Sequence, residues 1–169
     1  PFFHPAFALS LSLSFSILHS AMMEPEFPDV QMHLARPRTP VIGTVVESTS
    51  CLNGRSASFV RHIAVDISGT ILEGSFHAGQ AFGVVPPGEE SAGKSHSVRL
   101  YSIASPSWGE DGEGRIITTT CKRFIAENNS DERDDHELFL GVCSNYLCDR
   151  SVGDQIQITG PAGKRFVLP

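Results

Sequence analysis

The stretch Gln155-Ile-Gln-Ile-Thr159 alternates polar and apolar residues with the period of a β-strand resting on a core. Five more runs outward from it read as strands: Val41–Ser48, Val60–Ile67, Gln80–Pro86, Arg99–Ser105 and Arg115–Arg123. Val60–Ile67 is the least regular, with apolar residues on both faces. Turn-forming clusters divide the runs at Asn53-Gly54, Ser68-Gly69, Pro86-Pro87-Gly88, from Gly109 to Gly114 and from Ser151 to Gly153. One segment, Ser144–Arg150, reads as a short helix with Ser144 as its N-cap. Many short strands and one helix predict an all-β fold, an antiparallel barrel whose strands lose their free edges by closure.

Length and composition agree. The chain has 169 residues, 40% hydrophobic and 19% charged, enough for one domain with its own core. A net charge of −6 with no long basic run argues against nucleic acid as a partner. Residues 1–21 are apolar and serine-rich but carry no Lys or Arg. They lack the basic region of a secretory signal, and serines interrupt the apolar run that a membrane helix needs. We therefore expect no membrane partner and a cytoplasmic location. A chain start at Met22 or Met23 is expected, with residues 1–39 an extension, disordered or mis-extended, and residues 40–169 the barrel domain. The cysteines are Cys51, Cys121, Cys143 and Cys148, with no C-x-x-C pair, and reduced thiols are expected. The histidines show no ligand spacing, and the charged run from Asp131 to Glu137 reads as a solvated hairpin loop.

Two segments carry chemistry. In Arg99-Leu-Tyr-Ser-Ile-Ala-Ser105, alternation sends Arg99 and Tyr101 to one face and Leu100 and Ser102 to the other. Arginine offers a forked donor suited to a pyrophosphate, tyrosine a flat apolar plate, and serine a hydroxyl for a ring nitrogen. In Gly141-Val-Cys-Ser-Asn-Tyr-Leu-Cys148, glycine permits close backbone approach, and a helix start presents unpaired N–H groups. Alone, the first reads equally well as a barrel strand with an exposed arginine, the second as an ordinary strand-to-helix turn.

Together and in this order they resemble the flavin-binding signature of the plant-type ferredoxin–NADP reductase family. The resemblance continues through Gly79-Gln80, Gly83-Val-Val-Pro86, Lys122-Arg123, Gly153-Asp154 and Thr159-Gly-Pro-Ala-Gly-Lys164. Arg99–Gly109 is also similar to the reductase component of benzoyl-CoA oxygenase-type systems. The resemblance implies a Greek-key FAD-binding barrel. Arg99 would then bind the FAD pyrophosphate, with Leu100 beside it; Tyr101 would stack on the isoalloxazine and Ser102 would face its N5. Gly141, Val142, Cys143 and Ser144 would wrap the pyrophosphate and ribityl chain, and Lys122 would help hold NADP phosphates. Ser102 and Cys143, the latter beside the nicotinamide, are the catalytic candidates. Ferredoxin or another iron–sulfur protein would be the electron partner, with Lys94 and His96 at the docking position.

Departures accompany the match. Where the family stacks an aromatic on adenine, this chain has Ala126, and Phe124 is expected on the opposite strand face. The family's nucleotide domain follows the barrel, so the chain is expected to lack an NAD(P)-binding domain and to be inactive alone. Three readings stay open: part of an NAD(P)H-dependent flavoenzyme, a stand-alone flavin-binding or interaction module, and a barrel without flavin.

Overall fold

The structure, a computed structural model, describes residues 28–56, 58–90, 93–127 and 138–167. The expectations for residues 1–21, for a start at Met22 or Met23 and for the charged run from Asp131 to Glu137 lie outside the described residues.

In chain order the elements are β1 (Val41–Ser50), β2 (Val60–Asp66), β3 (Ala81–Val85), β4 (Glu89–Glu90), β5 (Lys94–Ser95), β6 (Arg99–Ser102), β7 (Ile116–Lys122), β8 (Ile125–Glu127), β9 (Leu138–Leu140), α1 (Val142–Cys148) and β10 (Gln155–Ala162). Six strands form one antiparallel sheet in the order β6-β3-β10-β1-β2-β7. The last strand inserts between the first and the third, which gives the Greek-key connection. The two ends of this order meet. Just beyond β6, the Ala104 N–H donates to the Thr118 carbonyl at 2.8 Å, and the Thr119 hydroxyl donates to the Ser102 carbonyl at 2.9 Å. The sheet is thereby rolled into a barrel, and a closed barrel exposes no long edge. β4–β5 and β8–β9 are small hairpins beside it.

The alternation read from Gln155-Ile-Gln-Ile-Thr159 holds through Ile158 and ends at Thr159, which is buried as well. Ile156 and Ile158 point into the core while Gln155 and Gln157 are exposed. Val45, Ile63, Val65, Phe82, Val84 and Ile117 join them, each essentially inaccessible to solvent. Burial of such a side chain stabilises the fold by about 1.5–3 kcal/mol. At Gly43 only a hydrogen fits, because a Cβ there would lie 2.5 Å from Val65 Cγ1 and 2.9 Å from Ile158 Cδ1. Ahead of β1, Ala35 is buried and bridges Gly160 of β10, so residues directly before Pro40 are bonded to the sheet.

The helix differs from its expected bounds. It begins at Val142, with Gly141 in extended conformation as N-cap, and ends at Cys148. Ser144 does not cap it. Its hydroxyl accepts the Phe124 N–H at 3.1 Å and donates to the Gly141 carbonyl at 3.2 Å, fastening the helix start to the chain after β7. Cys143, Leu147 and Cys148 form the buried face of α1, packed against β7 and β2. Among the described residues no helix is long and apolar enough to cross a membrane.

Candidate functional site

A cleft of about 400 Å³ opens between β6, the β8–β9 hairpin and the start of α1. Arg99, Leu100 and Tyr101 form one wall, Gly141, Val142, Cys143 and Ser144 another, and Phe124 and Phe139 the far end. Pro86, His96 and Ser97 complete the lining. Seven of the residues singled out from sequence thus face one cavity, although they come from segments some forty positions apart. Two do not line it. Ser102 is exposed at the end of β6, where it pairs with Ala81, and Lys122 is exposed at the end of β7, opposite Val60.

Strand pairing sets Tyr101. It sits across from Phe82 of β3, partly buried against the core. Burial first, and then its neighbours Cys143 and Cys121, push the Tyr101 hydroxyl well above the ordinary phenol range. It is therefore a neutral hydroxyl at physiological pH. Burial likewise pushes up the Cys143 thiol, against the pull of Tyr101 and the positive charge of Arg99, and its Sγ lies 3.8 Å from the Val84 carbonyl. A protonated, buried Cys143 is a poor nucleophile and serves as a small apolar wall. Arg99 is exposed, its Nη1 donating to its own strand at the Ser97 carbonyl, 3.3 Å away. That bond is local, so the guanidinium fork remains available to a ligand.

The strands β8 and β9 and the place of Phe139 were not read from sequence, although the charged run between the strands was read as a hairpin loop. Ala126 pairs directly with Phe139, and Phe124 meets Phe139 edge to face with ring centroids 6.1 Å apart. Both rings are more than half exposed. Phe124 therefore faces the cleft rather than the opposite side of the strand. Residues two apart share a strand face, and here that shared face carries Phe124, Ala126 and, from the partner strand, Phe139.

Positioning residues were also missed. The Arg123 guanidinium donates to Asn145 Oδ1 at 2.8 Å, pairs with Asp149, and lies 5.9 Å over the Phe59 ring. Asn145 Nδ2 in turn donates to the carbonyls of Gly141, at 2.8 Å, and Phe124, at 3.0 Å. This network ties the end of β7 to the Gly141 wall of the cleft and to its Phe124 end. The Lys122-Arg123 pair marked the place in the sequence, but only the fold shows that Arg123 braces α1. Elsewhere, ligating atoms of Glu47, His62 and Glu110 come within 4.8 Å of one another despite the lack of a sequence spacing, with His62 and Glu110 ion-paired.

A cavity lined by an arginine, a tyrosine and two phenylalanines suits a flat anionic ligand that carries aromatic groups. Comparison with known proteins agrees. No protein-family model matches the chain. The ferredoxin–NADP reductase of Synechocystis is 37% identical over 146 residues, 86% of this chain and 34% of that protein. The chloroplastic ferredoxin–NADP reductase of Spinacia oleracea is 34% identical over 151 residues, 89% of this chain and 38% of its own length. Among solved structures, the ferredoxin–NADP+ reductase of Plasmodium falciparum superposes with a TM-score of 0.60 at 22% identity, covering 85% of this chain and 44% of that one. The chain spans less than half the length of these relatives. The sequence identity, carried over most of the chain on a matching fold, makes this a member of the ferredoxin–NADP reductase family, corresponding to one part of those proteins.

Proposed function

We propose that the cleft binds FAD and that residues 40–169 are the flavin-carrying barrel of an NADP-dependent oxidoreductase that exchanges electrons with ferredoxin or a similar iron–sulfur protein. The observation that carries this reading is the convergence of Arg99, Tyr101 and the Gly141–Ser144 turn on one cavity that Phe124 and Phe139 also line. Its volume of about 400 Å³ lies within the range of cofactor clefts, and its open side leaves room for a ligand to project.

FAD, when bound, would supply the hydride- and electron-carrying chemistry, while the protein orients it and sets its surroundings. Tyr101 offers its ring face to the isoalloxazine, kept in place by Phe82 and the core behind it. Arg99 forks toward the pyrophosphate. The Gly141–Ser144 backbone would approach the same group, and Gly141 lets this turn pack against Phe124, where a Cβ would lie 3.0 Å from Phe124 Cβ and from Ser144 Oγ. Phe124 and Phe139 provide the adenine surface that Ala126 does not. Ser102, next along the strand from Tyr101, has its carbonyl held by Thr119 and its side chain exposed outside the cleft lining, and its hydroxyl would serve a ring nitrogen only of a flavin that extends past Tyr101. Cys143 forms the wall where the nicotinamide of NADPH would approach, and Lys122 lies outside the cleft, where a nucleotide phosphate would pass. Lys94, exposed on β5, and His96, at the cleft lining, suit docking of an acidic iron–sulfur protein.

The test is to purify the chain and identify what it carries. The reading predicts a yellow protein that releases FAD on denaturation, or that takes up FAD when supplied. A folded protein that stays colourless with FAD in excess would contradict it.

A further inference from the structure

Cys148 at the end of α1 and Cys121 in β7 have no part in the cleft chemistry, yet their sulfurs lie 3.9 Å apart. The Cys148 thiol is also 3.8 Å from the Cys121 carbonyl. Both side chains are buried among core residues, but Cys148 is not sealed in. A second, much smaller cleft of about 50 Å³ reaches it from the surface between Phe59, Arg61 and Arg123. Both arginines are anchored: Arg61 donates to the Ser48 carbonyl at 2.7 Å and to its hydroxyl at 3.0 Å, and Arg123 to Asn145 at 2.8 Å. Fixed guanidinium groups thus stand at the mouth of a passage that ends on a thiol with a second thiol behind it.

We propose that Cys148 and Cys121 form an oxidisable dithiol, in which hydrogen peroxide entering the small cleft converts the pair to an intramolecular disulfide. The Cys148 sulfur attacks one peroxide oxygen, the O–O bond breaks, and the products are a sulfenic acid and one water. The Cys121 sulfur then attacks the sulfenic sulfur, the S–O bond breaks, the S–S bond forms, and a second water leaves with the Cys121 proton. The two thiols supply the two electrons that reduce the peroxide. The sulfurs must close from 3.9 Å to about 2.05 Å, a movement between a strand and a short helix end rather than between rigid strands.

A cavity holds a water once it offers about 10–15 Å³ of open space, so a cleft of about 50 Å³ has room for hydrogen peroxide beside Cys148. Burial pushes the Cys148 thiol up, against the pull of Cys121, Arg123 and Arg61, with Asp149 adding slightly to the rise. Burial, with Cys148 next, pushes Cys121 up to about 12; Tyr101 pulls it down and Cys143 adds to the rise. The thiolate is the attacking form, so the reaction is slow at neutral pH and quickens as pH rises.

The experiment treats the full chain with hydrogen peroxide, alkylates the remaining thiols under denaturing conditions and maps the peptides by mass spectrometry. The expected result is a Cys121–Cys148 disulfide that forms faster at pH 9 than at pH 7. Cys121→Ser should leave a Cys148 sulfenic acid that dimedone traps, whereas Cys148→Ser should leave Cys121 reduced. Recovery of both thiols fully alkylated while exposed Cys51 is oxidised would overturn the proposal.

Discussion

At the scale of single residues, the wall of the cleft divides into groups that touch a ligand and groups that hold them. Tyr101 belongs to the first. Aromatic stacking is worth about 0.5–1.5 kcal/mol beyond the area it buries, so Tyr101→Ala is expected to weaken FAD binding about tenfold or more. Tyr101→Phe should retain most of the affinity, because the ring supplies the contact; a titration of each variant with FAD checks both. On the proposed reading, Phe124 and Phe139 would contact the adenine of the ligand. Stacking of a base on an aromatic side chain is worth about 1–3 kcal/mol, so Phe124→Ala with Phe139→Ala should lower FAD affinity about tenfold and leave FMN, which has no adenine, unaffected. Equal loss for both flavins would show that these rings merely support the hairpin. Arg99 and Tyr101 were legible from sequence because arginine, aromatic and serine fall within four residues of one strand. Phe139 was not, because it reaches the site by pairing with Ala126 across a hairpin that carries no periodic signal.

At the scale of elements, the six long strands were legible because each shows a run of β-formers bounded by glycine or proline turns. Their ends shifted by a few residues, and β10 runs on to Ala162 across a register shift at Gly160. A hairpin loop was read from Asp131 to Glu137, but its strands β8 and β9 were not, because each is three residues long, too short for alternation to be read. The helix start was misplaced for a different reason. Serine is a preferred N-cap, but Ser144 lies in the first turn and spends its hydroxyl on Phe124 and Gly141. Ser144→Ala should therefore remove a fastening between α1 and the chain after β7. The expected cost is about 1 kcal/mol of stability, or about 2–4 °C in Tm, measured by thermal unfolding. If Ser144 acted as a flavin ligand alone, the apoprotein would unfold at an unchanged temperature.

At the scale of the whole molecule, pH dependence follows from groups whose ionisation differs between folded and unfolded states. Burial works against ionisation of Asp111. The Arg115 guanidinium and the N–H groups of Glu113, Ile116 and Arg115 outweigh it and hold the carboxyl at about 2. A carboxylate depressed in the fold contributes stability above its unfolded value, about 3.9, and loses it as pH falls toward 2. Asp111→Asn should flatten the acid limb of a stability–pH curve between about pH 4 and pH 2. At the alkaline end, burial and the neighbouring Cys148 raise Cys121 to about 12. The stability it contributes is complete below about pH 9 and is lost as pH climbs toward 12, and Cys121→Ser should remove that dependence.

The barrel, its seam between β6 and β7, and the helix start together bring Arg99 and Tyr101 to the Gly141–Ser144 turn, and the flavin reading stands on that convergence. Its most direct test is a fluorescence titration of the apoprotein with FAD, run in parallel on Tyr101→Ala. The account predicts saturable quenching of the flavin at one FAD per chain, with binding weakened about tenfold or more in the variant. Flavin fluorescence that stays unchanged with folded wild-type protein in excess would contradict it.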